Sequence, residues 1–367
     1  MSTDYEYLTK NVDNEQVSEP PKNEEPITVF RNVKSEPFDL YGFYAPHTEK
    51  GFKRLPDDLA QAVNSGVAKL YLNTAGGRVR FCTDSPYVIV RAEMIGVTML
   101  TIMPSISSVG FDLYLDDPET GKSHFYNVFD PTANPGSTLE RKIDFGTAKM
   151  RWITIHFPSY SGVTAMSIGL DSGATVGHGL RYRDVPPIVY YGSSITQGAA
   201  ASRPGNSYEN IICRNNNTDY LNLGFSSSGK GEENIARYLA DLPMSVFVCD
   251  YDHNSPKANL EETHLRLYRI IRKKNPTVPY VMISRPDVNN HDYETNLMRR
   301  NAIYRNYMQA LAEGDKNVYF VDGSSFFRTG EEDMCTVDGI HPNDYGMFRM
   351  ADAIGSELRW IQARAQM

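Results

Sequence analysis

The stretch Ile188-Val189-Tyr190-Tyr191-Gly192-Ser193-Ser194-Ile195-Thr196 decides the fold. Its first four residues are all β-branched or aromatic, follow Pro186-Pro187, and run straight into glycine and hydroxyl residues. That is the pattern of a short strand buried on both faces and ending in a tight turn, the unit of a parallel sheet. Further buried strands are expected at Tyr220–Leu223, Ser245–Tyr251, Tyr280–Ser284 and Val318–Val321. Between and after them, helical periodicity runs near 206–216, 231–241, 259–274, 294–313 and 344–363. In the third of these Leu260, His264, Leu267, Tyr268 and Ile271 share a face, and Asn275-Pro276 stops the helix. In the last, Met347, Met350, Ala351, Ile354, Leu358 and Ile361 do the same. Strands alternating with helices of this length predict a three-layer α/β/α domain with a parallel sheet over residues 185–367.

Upstream the pattern changes. Residues 27–184 read as short strands broken by turns: Lys69–Asn73, Arg78–Thr83, Tyr87–Glu93, Thr98–Met103, Gly110–Leu115, His124–Phe129, Met150–Phe157 and Ala165–Leu170. Gly76-Gly77, Asp84-Ser85-Pro86 and Asp116-Asp117-Pro118 supply turn chemistry. Many strands with little helix between them predict a β-sandwich, jelly-roll-like, ahead of the α/β domain. Residues 1–26, rich in Glu, Asn and Pro, read as a polar N-terminal arm.

Composition narrows the function classes. Of 367 residues, 41% are hydrophobic and 22% charged, which excludes a disordered, fibrous or membrane-embedded chain. Lys and Arg number 37 against 45 Asp and Glu, a net charge of −8 that leaves no basic footprint for nucleic acid. No apolar run approaches the ~18 residues of a membrane span, and residues 1–16 lack the charged and apolar regions of a signal peptide. A cytoplasmic location and no membrane partner are therefore expected. Cys82, Cys213, Cys249 and Cys335 are far apart with no CxxC pair, so neither a metal site nor a disulfide framework is expected. Cys249 reads as a buried thiol.

Ligands of an open parallel sheet gather at the carboxyl ends of its strands. There this chain places Ser194, then Gly224-Phe225-Ser226-Ser227-Ser228-Gly229, then Asp250-Tyr251-Asp252-His253-Asn254, and before the last helix Asp338-Gly339-Ile340-His341-Pro342. Taken singly, each has an ordinary explanation: a serine after a strand caps a turn, and an Asp–His pair steadies a loop. Taken together they are a nucleophile, a base with an orienting acid, and neutral N–H donors, the requirements of acyl transfer. Asp338 and His341, three apart on one loop, let the carboxylate accept from Nδ1–H while Nε2 faces outward. Gly339 relieves crowding between them, and Pro342 biases His341 away from the helical region. Neither a GxSxG elbow nor a Walker loop is present.

These blocks resemble those of the SGNH (GDSL-type) hydrolases. Gly192-Ser193-Ser194-Ile195-Thr196 is similar to the first block, with Ser193 where the family usually has Asp. Asn222-Leu223-Gly224-Phe225-Ser226-Ser227 is similar to the second, with Ser227 at the usual oxyanion glycine. Asn254 matches the asparagine of the third, and Asp338-Gly339-Ile340-His341 matches the terminal DxxH. Gly110-Phe111-Asp112-Leu113-Tyr114 resembles the GxDLY motif of a β-sandwich that precedes such esterase domains. The resemblance implies a triad of Ser194, His341 and Asp338. It implies an oxyanion hole of the Ser194 and Ser227 N–H groups with the Asn254 carboxamide, Gly229 being the alternative to Ser227. It further implies a serine esterase acting without cofactor or metal on short-chain O-acyl esters, acetyl above all, of small molecules or oligosaccharides. An acyltransferase would use the same residues. A catalytically inactive carbohydrate-binding protein is the third alternative, favoured by the Ser193 and Ser227 departures. Tyr41, Phe43, Tyr44 and Tyr160 are candidates for stacking on sugar rings, and a homo-oligomer is compatible with base rates.

Overall fold

The computed structural model describes residues 27–132, 135–286, 292–328 and 330–365; the arm expected at 1–26 lies outside them. Ten strands come first: β1 (Thr28–Asn32), β2 (Asp39–Tyr41), β3 (Arg78–Thr83), β4 (Tyr87–Ile95), β5 (Phe111–Asp116), β6 (Ser123–Phe129), β7 (Thr138–Asp144), β8 (Arg151–His156), β9 (Gly162–Asp171) and β10 (Val176–His178). They pair antiparallel in two sheets, ordered β1-β9-β4-β7 and β10-β3-β8-β5-β6, with β2 beside β3. Alternation drives the packing. In β4, Val88, Val90, Ala92 and Met94 enter the sandwich core while Arg91 and Glu93 face water. Phe43, Phe52, Phe111 and Phe157 pack in the same core, tilted or edge to face, at ring separations of 5.0–5.4 Å.

Two expected strands do not form. Lys69–Asn73 is overridden by a helical turn, Val67–Leu70, because Asn64 Oδ1 accepts the N–H groups of Gly66 and Val67 at 3.0 and 2.9 Å. Thr98–Met103 joins no ladder; Leu100, Ile102 and Met103 instead pack with Tyr160 and Ala199.

The remaining strands, β11 (Ile188–Gly192), β12 (Tyr220–Gly224), β13 (Val246–Asp250), β14 (Tyr280–Ile283) and β15 (Val318–Val321), form a parallel sheet ordered β12-β11-β13-β14-β15. Helices Tyr208–Asn216 and Asp344–Ala365 cover one face, packing Ile212, Met347, Ile354 and Leu358 on Ile188, Tyr190, Val246 and Val248. Helices Glu233–Asp241, Leu260–Lys274 and Tyr293–Ala312 cover Val189, Tyr191, Phe247 and Cys249 on the other. The result is three layers, α/β/α, behind an antiparallel sandwich.

The sandwich closes the β12 edge. An edge strand leaves every second carbonyl unpaired. Here Arg78 Nη2 donates to Tyr220 O at 3.3 Å, and Arg54 Nη1 donates to Asn222 O and Gly224 O at 3.2 and 2.6 Å. Both guanidiniums also lie over rings of the sheet region, Arg78 over Tyr220 and Arg54 over Phe225. Two arginines from one half of the chain thus complete the backbone of the other. Among the described residues, no helix is long and apolar enough to cross a membrane.

Candidate active site

Ser194 follows β11 as the first residue of a short helix, Ser194–Gln197. The Ser193 hydroxyl caps that helix, accepting the Ile195 N–H at 3.2 Å, while the Ser193 N–H is held by Asp250 O at 3.1 Å. The helix lies against the strand ends because two residues there lack side chains. A Cβ on Gly192 would stand 1.9 Å from Thr196 Oγ1, and one on Gly224 would stand 2.4 Å from Gln197 N.

The Ser194 hydroxyl meets His341 Nε2 at 2.9 Å, and His341 Nδ1 meets Asp338 Oδ2 at 2.8 Å. The loop is built for this. Asp338 Oδ1 accepts the N–H groups of Ile340 and His341 at 3.0 and 2.8 Å, Gly339 sits at φ +83°, and Val337 N–H closes on His341 O at 2.9 Å. Partial burial pushes the Asp338 carboxyl up. Its hydrogen bonds from His341 and Ile340, together with the imidazole, outweigh that and hold it below the usual carboxylate range. An ionised Asp338 selects the Nδ1–H tautomer and leaves Nε2 to accept the Ser194 proton. Ser194 is 9% exposed.

Two backbone N–H groups of the first and second strand-end loops have no acceptor among the described residues. The Ser194 N–H is an orphan of the helix start. In the next loop, Ser226 N–H goes to Gln197 Oε1 at 2.9 Å, and the N–H groups of Ser228 and Gly229 both go to Phe225 O, at 2.9 and 3.0 Å. Ser227 N–H alone in that loop pairs with no acceptor among the described residues. Ser227 holds φ +56°, the left-handed region that explains why glycine is usual there. Gly229, with its N–H committed, is not the free donor. Asn254 departs from the expected arrangement: its Nδ2 donates to Phe225 O and Gly229 O at 2.9 and 3.1 Å. The carboxamide clasps the Ser227 loop rather than offering an unengaged N–H.

Below the nucleophile, Asp250 is 2% exposed and its Oδ2 accepts from Thr196 Oγ1 and Tyr208 OH, both at 3.1 Å. Burial, reinforced by the nearby Asp252 carboxylate, pushes it up to about 7. The sandwich reaches the site as well. Tyr160 OH donates to Ser194 O at 3.3 Å, and Gln197 Nε2 donates to Ser159 O at 3.1 Å. Sequence reasoning missed Arg54 and Gln197, whose partners lie tens to hundreds of residues away; the only local hint was Gln197's place three residues after Ser194.

The sugar-stacking candidates fare differently. Phe43 and Tyr160 are buried, at 9% and 3% exposure, and so present no open ring; Tyr41 is packed edge-on against Tyr182 at 4.8 Å. Tyr44 is half-buried. Among the described residues, no cluster of three His, Cys, Asp or Glu side chains is placed to hold a metal ion.

Comparison with known proteins agrees with this architecture. Residues 186–359 match the GDSL-like lipase/acylhydrolase family, and residues 28–176 match the GxDLY N-terminus of SGNH-hydrolase-type esterases. No curated protein sequence matches significantly. A protein of Bacteroides ovatus ATCC 8483 assigned as a GDSL-like lipase is 28% identical, with a TM-score of 0.82 over 91% of this chain and 98% of its own. A salicylyl-acyltransferase from a tetracycline biosynthetic pathway shares the fold at 19% identity and a TM-score of 0.75, over 91% of this chain and 97% of its own. A family two carbohydrate esterase from Cellvibrio japonicus does so at 13% identity and 0.57, over 92% and 98%. The two matched regions, in this order and with these blocks at the strand ends, place the chain among the SGNH (GDSL-type) hydrolases that carry an N-terminal GxDLY domain.

Proposed function

We propose that this protein is a serine esterase that removes short O-acyl groups, chiefly acetyl, from carbohydrates. The observation that carries the reading is the continuous chain from Ser194 Oγ through His341 to Asp338, at 2.9 and 2.8 Å. Ser194 Oγ attacks the ester carbonyl as His341 Nε2 takes its proton, and Asp338 steadies the imidazolium. The oxyanion settles on the Ser194 and Ser227 N–H groups, both neutral, so no competing charge stabilises the ground state. His341 then protonates the leaving alcohol and activates water against the acyl-enzyme. Asn254 serves this step by holding the Ser227 loop in its left-handed turn.

The carbohydrate reading draws on the shared two-part architecture of the family two carbohydrate esterases. The loop that carries the acid–base pair also faces solvent, with Val337 and Ile340 at 50% and 39% exposure. A second reading, acyl transfer to another alcohol, is favoured by the closer structural match to the salicylyl-acyltransferase. Acetate release from acetylated xylo-oligosaccharides, with and without an added acceptor alcohol, tests both. Free acetate at a rate independent of acceptor supports the esterase. Acylated acceptor formed in preference to acetate supports the transferase. If neither product forms while a simple aryl acetate is hydrolysed, the carbohydrate assignment fails.

A further inference from the structure

The GxDLY motif has no role in the chemistry described above, and its geometry assigns it one. In β5, Phe111 and Leu113 enter the sandwich core, so Asp112 and Tyr114 must point the other way. That face is not solvent: Asp112 is fully buried and Tyr114 is 2% exposed, because the segment after the nucleophile helix lies on them. Asp112 Oδ1 faces His156 Nδ1 at 2.8 Å, across the β5–β8 register. Its other oxygen reaches out of the sandwich and accepts the Gly205 N–H at 2.8 Å, with Arg203 Nε 3.5 Å away. Arg214, lying over the Tyr114 ring, donates to Gly205 O. Gly205 is thereby held at both ends of its peptide units, in a space where a Cβ would come within 2.6 Å of Tyr114 and 2.7 Å of Asp112.

The held segment grips the loop that carries the base. Ser202 N–H donates to Asp344 Oδ1 at 2.7 Å; Ser202 Oγ and Asn206 Nδ2 donate to Asp344 Oδ2 at 2.5 and 2.8 Å. Asp344 opens the last helix, three residues after His341. We propose that Asp112, the aspartate of the GxDLY motif, is a positioning residue: by fixing Gly205 it fixes Ser202 and Asn206 on Asp344, and so sets His341 against Ser194. The sandwich is on this account part of the catalytic scaffold, which explains why an acidic residue is buried on its outer face. The proposal rests on the esterase reading for its kinetic consequence but not for its structural one.

The test compares three variants in the full chain by aryl acetate hydrolysis, each below its melting temperature. Asp112→Ala removes both acceptors and is expected to lower kcat by about tenfold to a hundredfold with KM little changed, the consequence of a displaced base. Asp112→Asn keeps an oxygen that can face Gly205 and should recover most of that loss. Asp116→Ala is the control: Asp116 lies on the same strand and face but binds Arg80, Thr154 and Ser123, all within the sandwich. It should lose stability while keeping kcat. Equal kcat losses in Asp112→Ala and Asp116→Ala at matched stability would reduce Asp112 to a packing role and overturn the proposal, as would an unchanged kcat in Asp112→Ala. Hydrogen exchange of amides 337–346 reads the coupling without any substrate. Faster exchange there in Asp112→Ala than in Asp116→Ala supports it, and equal exchange contradicts it, even if the wild type hydrolyses no ester.

Discussion

Asn254 separates two ways of building an oxyanion hole. Its two N–H donors are engaged by Phe225 O and Gly229 O at 2.9 and 3.1 Å. These bonds brace a loop whose Ser227 sits at φ +56°, a conformation that costs a non-glycine residue about 1–2 kcal/mol. Substituting Asn254→Ala deletes both bonds, at about 1 kcal/mol each, and leaves Gly229 O without its side-chain partner. The variant is therefore expected to lose about 2 kcal/mol of stability, since nothing else replaces the clasp. With the loop free to relax out of the left-handed turn, the Ser227 N–H leaves the oxyanion position. Loss of one such donor typically lowers turnover about 10²–10³-fold. Urea unfolding gives the stability change, and steady-state hydrolysis of an aryl acetate gives kcat. A large loss of kcat with undiminished stability would refute the clasp, because it would mean that the carboxamide leaves its carbonyls and serves the oxyanion directly. Unchanged kcat would remove Asn254 from the mechanism altogether.

Two buried groups should give the stability profile opposing slopes. Asp250, raised from 3.8 to about 7 by burial and the neighbouring Asp252, is more basic folded than unfolded, so its contribution is present in acid and lost as pH rises through about 7. At about 1.4 kcal/mol per unit this amounts to roughly 4 kcal/mol. Urea unfolding of Asp250→Asn should accordingly lack this downward component between pH 4 and 7, and identical slopes in wild type and variant would contradict the burial argument. His264, lowered to about 4 by burial, stacks on Tyr251, and its Nε2 has no hydrogen-bond partner among the described residues. Its depressed folded value makes its contribution present above about 6.5 and lost as pH falls through about 4, roughly 3 kcal/mol in the opposite sense. His264→Phe should remove that acid-side loss, and unfolding curves at pH 4 and 7 that differ as much as wild type's would show that the ring is not held neutral.

How much of this was legible beforehand depends on whether the signal was local. The run Ile188–Tyr191 and its four companions read directly as buried parallel strands because both their faces are apolar, and the DxxH loop was legible because its hydrogen bonds join residues three apart. Strand β7 was not anticipated: only Leu139 and Ile143 face inward among Thr, Glu, Arg, Lys and Asp, too thin an alternation to stand out. Lys69–Asn73 misled for the reverse reason. Its apolar run Leu70-Tyr71-Leu72 was real, but the Asn64 cap upstream committed the backbone to a helical turn. The supports of the site were the least visible. Arg54 acts on carbonyls some 170 residues away and Asp112 on an amide 93 residues away, and neither spacing leaves a local pattern. Ser227 lay between: its place in the block was legible, its left-handed φ was not.

The central claim is that Ser194, driven by His341, is the nucleophile of an acyl transfer. Incubation with a fluorophosphonate, followed by peptide mapping of the modified residue, tests it without presuming the natural substrate. The account predicts one equivalent of label, on Ser194, abolished in Ser194→Ala and slowed at least a hundredfold in His341→Ala by loss of the base. Label on another residue, or aryl acetate hydrolysis that persists undiminished in Ser194→Ala, would contradict it.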